Sequence, residues 1–184
     1  MTSQPKRNSI RSSCASYLAA LVFVCCSGSI LAQSQAGNLY LQDAEEDLAH
    51  GEALLRSFKN DSAGVLAAKI ITELQARDLL DSPIGIKAQL LEASALERDE
   101  QNELAVQKLL QVLERCREKE QWDLLAKAGL SIALLYEKLK RGDQSREHLK
   151  QTKVVIEDYA LDSIYPSWAV RISSWHRIFG DRDS

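Results

Sequence analysis

Two stretches of this chain, Leu91-Glu92-Ala93-Ser94-Ala95-Leu96-Glu97-Arg98 and Ser131-Ile132-Ala133-Leu134-Leu135-Tyr136-Glu137-Lys138, lie 40 residues apart and correspond in kind. Ala93 falls on Ala133, Leu96 on Tyr136, Glu97 on Glu137 and Arg98 on Lys138. The same offset carries Ala105 onto Ser145 and Leu109 onto Leu149. Self-similarity at a fixed period marks a repeat architecture, in which a unit too small to bury its own apolar face covers it by stacking on the next. A backward step of about 38 residues is expected to place Phe58 at the Leu96 position, Ala67 at Ala105 and Ile71 at Leu109.

Within each unit the period is helical. From Trp122 to Lys140 the apolar positions are Leu125, Ala128, Ile132, Leu135, Tyr136 and Leu139, which share one face of a helix while Lys127, Lys138 and Lys140 lie among the polar positions. Similar spacing predicts helices over 39–58, 63–80, 84–97, 104–117, 144–159 and 165–179. Ser82-Pro83 reads as a helix start, with Ser as the cap and Pro where its missing N–H costs nothing. Connections of a few residues force successive helices to pack as antiparallel neighbours. No stretch after Gln33 resembles a strand, so the fold class is all-α.

This pattern resembles the tetratricopeptide repeat, in its longer variety of about 40 residues per unit found in bacterial regulators and sensors. That family has a small residue in the first helix, a large or aromatic one three positions later, and a second small one in the second helix. Here those places are taken by Ala93, Leu96 and Ala105, and by Ala133, Tyr136 and Ser145. The family's early Trp is absent and its closing Pro is at best displaced. The resemblance spans about 39–184 and implies a right-handed α-α superhelix whose first helices line a groove for peptides or segments of partner proteins. It assigns Lys87, Leu90, Ser94, Glu97 and Arg98, then Lys127, Leu130, Leu134, Glu137 and Lys138, then Ser167, Val170, Ser174 and Arg177 to that groove. Five of these are basic and two acidic, so the expected ligand is an acidic segment or a chain-terminal carboxylate. The bland reading is a solvated helix face on which Glu and Lys pairs support helicity.

One more step of 40 places Ile172 on Ile132, Ser173 on Ala133, His176 on Tyr136 and Phe179 on Leu139. The segment 165–179 is thus expected to be the first helix of a fourth repeat, after three helix pairs. Gly180-Asp181 reads as a left-handed C-cap followed by an N-cap. Trp168, Val170, Ile172, Trp175, Ile178 and Phe179 are more apolar surface than one neighbour is expected to cover. Two expectations follow. Either the solenoid is interrupted here and the chain is the N-terminal piece of a longer one, or this helix docks on a partner through Trp168, Trp175 and Phe179.

The N-terminus reads as an export signal over 1–32. Lys6, Arg7 and Arg11 form its basic region, Tyr17 to Cys26 its apolar run, and Ser29-Ile30-Leu31-Ala32 its cleavage site, so that a mature domain begins at Gln33. Residues 15–32 are also just long enough for a membrane anchor, and lipidation at Cys25 or Cys26 is a third reading. Removing the signal takes three of 23 basic groups and none of 26 acidic ones, leaving 20 against 26 and a net charge of −6. An acidic domain argues against nucleic acid or anionic lipid as partner. Of four cysteines only Cys116 survives cleavage, so no intramolecular disulfide forms and packing must hold the core.

No catalytic constellation stands out, and no cofactor is implied. His50, His148 and His176 sit on separate helices without metal-ligand spacing, and Cys116 continues an apolar stripe of Leu109, Leu110 and Leu113 that points to a buried thiol. The Arg141-Gly142-Asp143 tripeptide falls at a helix-to-helix turn, where capping accounts for Gly and Asp without an adhesive role. The expected function is that of an exported, periplasmic, non-enzymatic scaffold that binds protein or peptide, in the manner of the sensory part of a bacterial signalling protein. The alternative is a free-standing periplasmic assembly or chaperone-like factor docking through its last helix.

Overall fold

The computed structural model describes residues 40–180, and Ala44 opens the compact unit treated below. The basic n-region, the apolar run, the cleavage site and Asp181 lie outside the described residues. Among those described, the secondary structure is all-helical: α1 (40–56), α2 (Asn60–Gln75), α3 (Pro83–Arg98), α4 (Asn102–Glu118), α5 (Trp122–Lys138), α6 (Gly142–Asp158) and α7 (Tyr165–Phe179). Ser82 accepts a hydrogen bond from the Gly85 N–H at 3.2 Å and Pro83 opens α3, as the Ser-Pro pair predicts.

Helix stops set the rhythm of the chain. Phe58, Asp78, Glu100, Glu120, Lys140 and Ala160 have φ of 58°, 55°, 62°, 54°, 61° and 50°, and each closes one helix. The residue after each donates its N–H to the carbonyl five residues back, from Lys59 to Leu54 through to Leu161 to Ile156, at 2.8–3.0 Å. This is the left-handed stop usually given to glycine, because a Cβ crowds the following carbonyl there. None of the six is glycine. Ala160→Gly should therefore stabilise the chain by about 0.5–1 kcal/mol, a rise in Tm of roughly 1–4 °C. An unchanged or lower Tm in circular dichroism would contradict this reading of the turn.

Gly180, expected in that conformation, has φ −63° and ψ −26°. The helical path runs on through it, and its N–H bonds to His176 O. Gly142 is likewise no turn glycine: it opens α6, while the left-handed residue is Lys140. Contact explains Gly142, since a Cβ there would lie 2.8 Å from Phe179 Cδ1.

The even-numbered helices repeat one stripe. Ala63-Ala67-Ile70-Leu74 on α2, Ala105-Leu109-Val112-Cys116 on α4 and Ser145-Leu149-Thr152-Ile156 on α6 are all 3% exposed or less. The step from α4 to α6 is 40 residues, but from α2 to α4 it is 42. The 38-residue step therefore fails: Ala67 corresponds to Leu109, and Phe58 sits in the α1–α2 turn, 83% exposed. The cause is the connection over 76–82, longer than those over 99–101, 119–121 and 139–141, which outweighs the shortness of α2 and α3.

From α2 onward each helix packs on the next, α3 also meets α5, and α5 also meets α7, whereas α2, α4 and α6 do not touch one another. The odd-numbered helices thus form the inner layer of a helical solenoid and the even-numbered ones the outer layer. The largest core cluster joins Ile86 and Ala93 of α3, the α4 stripe, and Leu124, Leu125, Ala128, Ile132, Leu135 and Tyr136 of α5. Small residues permit the close approach. At Gly51 a Cβ would run into Leu91 of α3, and at Gly129 into Thr152 of α6.

Candidate functional site

The inner layer brings the expected groove positions of α3 and α5 side by side, but with different roles. Lys87, Arg98, Lys127 and Lys138 are exposed, Leu90, Ser94, Glu97, Leu130 and Leu134 are half-buried, and Glu137 is only 4% exposed. Two of the basic groups bind helices together. Lys138 Nζ lies 2.8 Å from Glu97 Oε1, linking α5 to α3. Arg98 donates to the Leu55 carbonyl and covers the Phe58 ring at 5.8 Å, linking α3 to the end of α1. Nothing in the pattern announced Phe58 as the partner of Arg98, because the ring lies in a turn and faces water. Lys127 pairs with exposed Asp123 at 3.4 Å, a contact worth little in water. Ser94 donates to the Leu90 carbonyl of its own helix at 2.9 Å.

Glu137 closes the same series less well. Its Oε2 accepts from Ser174 Oγ at 3.4 Å and lies 3.9 Å from Arg171 Nη1, while Oε1 is buried without a donor among the described residues. Arg171 was missed from sequence because it falls on Ser131, where the repeat carries no charge. Burial pushes the Glu137 carboxyl above the usual carboxylate range, against the opposing pull of Arg171, Ser174 and Arg177. A carboxyl raised in the fold contributes stability that is full below its unfolded value and lost as pH rises through the folded one. Glu137→Gln keeps the shape and a polar group facing Ser174 without the charge. It should add on the order of 1 kcal/mol at pH 7, a gain that disappears near pH ~4. Urea denaturation at both pH values checks this; a loss at pH 7 would mean that the ion pair with Arg171 outweighs desolvation.

The last helix differs from expectation. Trp175 is 5% and Phe179 7% exposed, packed with Ala133 and Leu149, and Trp168 and Ile172 pack against the same cluster. Both indoles are also hydrogen-bonded, Trp175 Nε1 to Gly142 O and Trp168 Nε1 to Leu149 O, each at 2.8 Å. The rings expected to dock on a partner are therefore turned inward. The reason is that two elements, α5 and α6, cover this helix together. Its exposed apolar groups are Tyr165, Val170 and Ile178.

The remaining candidates are accounted for by packing. Cys116 is fully buried and its thiol is pushed up to about 11, chiefly by burial and secondly by Asp123. His148 is stacked on Tyr136 at 5.5 Å, and burial lowers its pKa. His176 is exposed and meets Trp175 edge-on at 5.1 Å. Among the described residues, no three His, Cys, Asp or Glu are grouped as metal ligands, and no helix is long and apolar enough to cross a membrane.

No protein-family model matches the chain, nor does any curated protein or solved structure. The class defined by the fold is an all-helical, repeat-like solenoid, and its inner layer is the extended surface it offers.

Proposed function

We propose that this chain is a non-enzymatic helical-repeat scaffold, tetratricopeptide-like and exported, whose inner layer binds an acidic segment of a partner protein. The observation that carries this reading is the separation of charge on that layer. Glu97 and Glu137 are withdrawn into helix seams, while Lys87, Lys127 and Arg177 stand exposed on a chain whose net charge is −3. A local field opposite in sign to the whole steers an acidic ligand to this face. Export to the periplasm and a sensory role rest on the resemblance and on the composition of residues 1–32.

Arg98 and Lys138 hold helices together, so the experiment uses the two exposed lysines of α3 and α5. Lys87→Glu with Lys127→Glu should weaken binding of a glutamate-rich synthetic peptide by roughly tenfold at low salt, with less effect at high salt. Titration calorimetry with unchanged affinity at low salt would sink the reading. The second reading, an assembly factor docking through α7, is favoured by the exposure of Val170, 69% against the half-buried Leu90 and Leu130 at equivalent places.

A further inference from the structure

Translation by 40 residues carries α3 onto α5 and α5 onto α7, so the open face of α7 can be compared with the same face where it is covered. On α3 it consists of Ile86, Gln89, Leu90, Ala93 and Glu97, and on α5 of Ala126, Gly129, Leu130, Ala133 and Glu137, all buried or half-buried. On α5 the cover comes from α6 and α7. Leu149 packs with Ala133, Ile156 with Ala126, and Thr152 lies so close to Gly129 that a Cβ would not fit. On α7 the equivalents are Pro166, Ala169, Val170, Ser173 and Arg177, and all but Ala169 are exposed.

Two further features mark this face as a receptor. Ala169, Val170, Arg171, Ser173, Ser174 and Arg177 line an open depression of about 630 Å³. Against its wall lies Glu137, whose side-chain hydrogen bond to Ser174 and ion pair with Arg171 both reach that wall and whose Oε1 has no donor among the described residues. Charge decides what fits. Glu97 of α3 receives Lys138 of α5 at 2.8 Å, but Arg177 stands where Glu97 and Glu137 stand in the preceding units. The sign of the rung is inverted, and α7 carries Arg171, His176 and Arg177 with no acidic residue.

We propose that the face of α7 formed by Ala169, Val170, Ser173 and Arg177 docks an amphipathic helix of a partner protein that carries the small-to-large stripe of α4 and α6 and a carboxylate opposite Arg177. Such a helix seats a large side chain over Ser173 as Leu149 sits over Ala133, removes Val170 from water, and pairs with Arg177. It also excludes water from the contacts of Glu137 with Ser174 and Arg171. This docking deepens the second reading, on which it rests, and shares Arg177 with the inner-layer reading without depending on Lys87 or Lys127.

The probe is a labelled 17-residue peptide of the α4 sequence, Asn102 to Glu118, carrying Cys116→Ser, in an acidic form (K108E, R115E, R117E) and a basic form (E103K, E114K, E118K). Fluorescence anisotropy with the full chain should show the acidic form binding at least about fivefold more tightly. Val170→Asp and Ser173→Arg should each abolish binding, Arg177→Glu should reverse the preference, and Lys87→Glu with Lys127→Glu should leave it unchanged. Circular dichroism confirms that each variant is folded. Absent binding, equal affinity for the two peptides, or binding lost only with the lysine pair would overturn the proposal. So would concentration-dependent self-association in sedimentation that Val170→Asp removes, since the occupant would then be a second copy of this chain.

Discussion

Trp175→Ala should destabilise the chain by about 3–5 kcal/mol, the range for removing a buried large aromatic side chain. The ring is 5% exposed, lies 5.8 Å from the Phe179 ring, and receives the Arg146 guanidinium over its face at 5.1 Å. Its loss takes away the apolar burial against Ala133 and Leu149 and leaves the Gly142 carbonyl without the indole donor. The damage should concentrate in α7, because among the described helices only α5 and α6 hold it. Hydrogen exchange of the α7 amides should accelerate more than that of the α4 amides, and the urea midpoint should fall. Had the ring stood in water, as its place in the sequence suggests, the substitution would have cost within about 0.5 kcal/mol. A near-neutral result would therefore place Trp175 outside the core.

Leu109→Ala should cost about 2–5 kcal/mol, while Leu110→Ala should cost well under about 1 kcal/mol. The two leucines are adjacent and chemically identical. Leu109 is 1% exposed and belongs to the stripe Ala105-Leu109-Val112-Cys116 in the largest core cluster, whereas Leu110 is 39% exposed. The difference tests the register of α4 directly. Equal effects from the two substitutions in equilibrium urea unfolding would mean that α4 is rotated by about a third of a turn from its described position.

Much of the fold is legible in the residues because the pattern that carries it is local. Apolar spacing of 3.6 residues marks helices wherever it recurs. The segment 165–179 is read with the same bounds that the structure shows, and Ser82-Pro83 marks the start of α3. The candidate site is less legible. Lys138 and Glu97 are 41 residues apart, and Arg171 and Glu137 are 34 apart, so neither pair leaves a trace in any helical window. Glycine is the usual sign of a left-handed stop, and the described residues make six such stops without it, so those turns are marked by backbone hydrogen bonds and not by composition.

By itself the sequence determined that this chain is all-helical, built of short-looped hairpins with a 40-residue period, and acidic overall. These properties depend on neighbours within a few turns of helix and on sums over the chain. Tertiary structure alone decided that the first step of the repeat is 42 residues, that Arg98 and Lys138 serve as helix ties, and that the indoles of α7 face inward while Val170 faces water. The physical reason is that burial is assigned by the second and third neighbour as much as by the first. A helix with an apolar stripe and an apolar fringe can hide either one, and the choice falls to the side on which α5 and α6 stand.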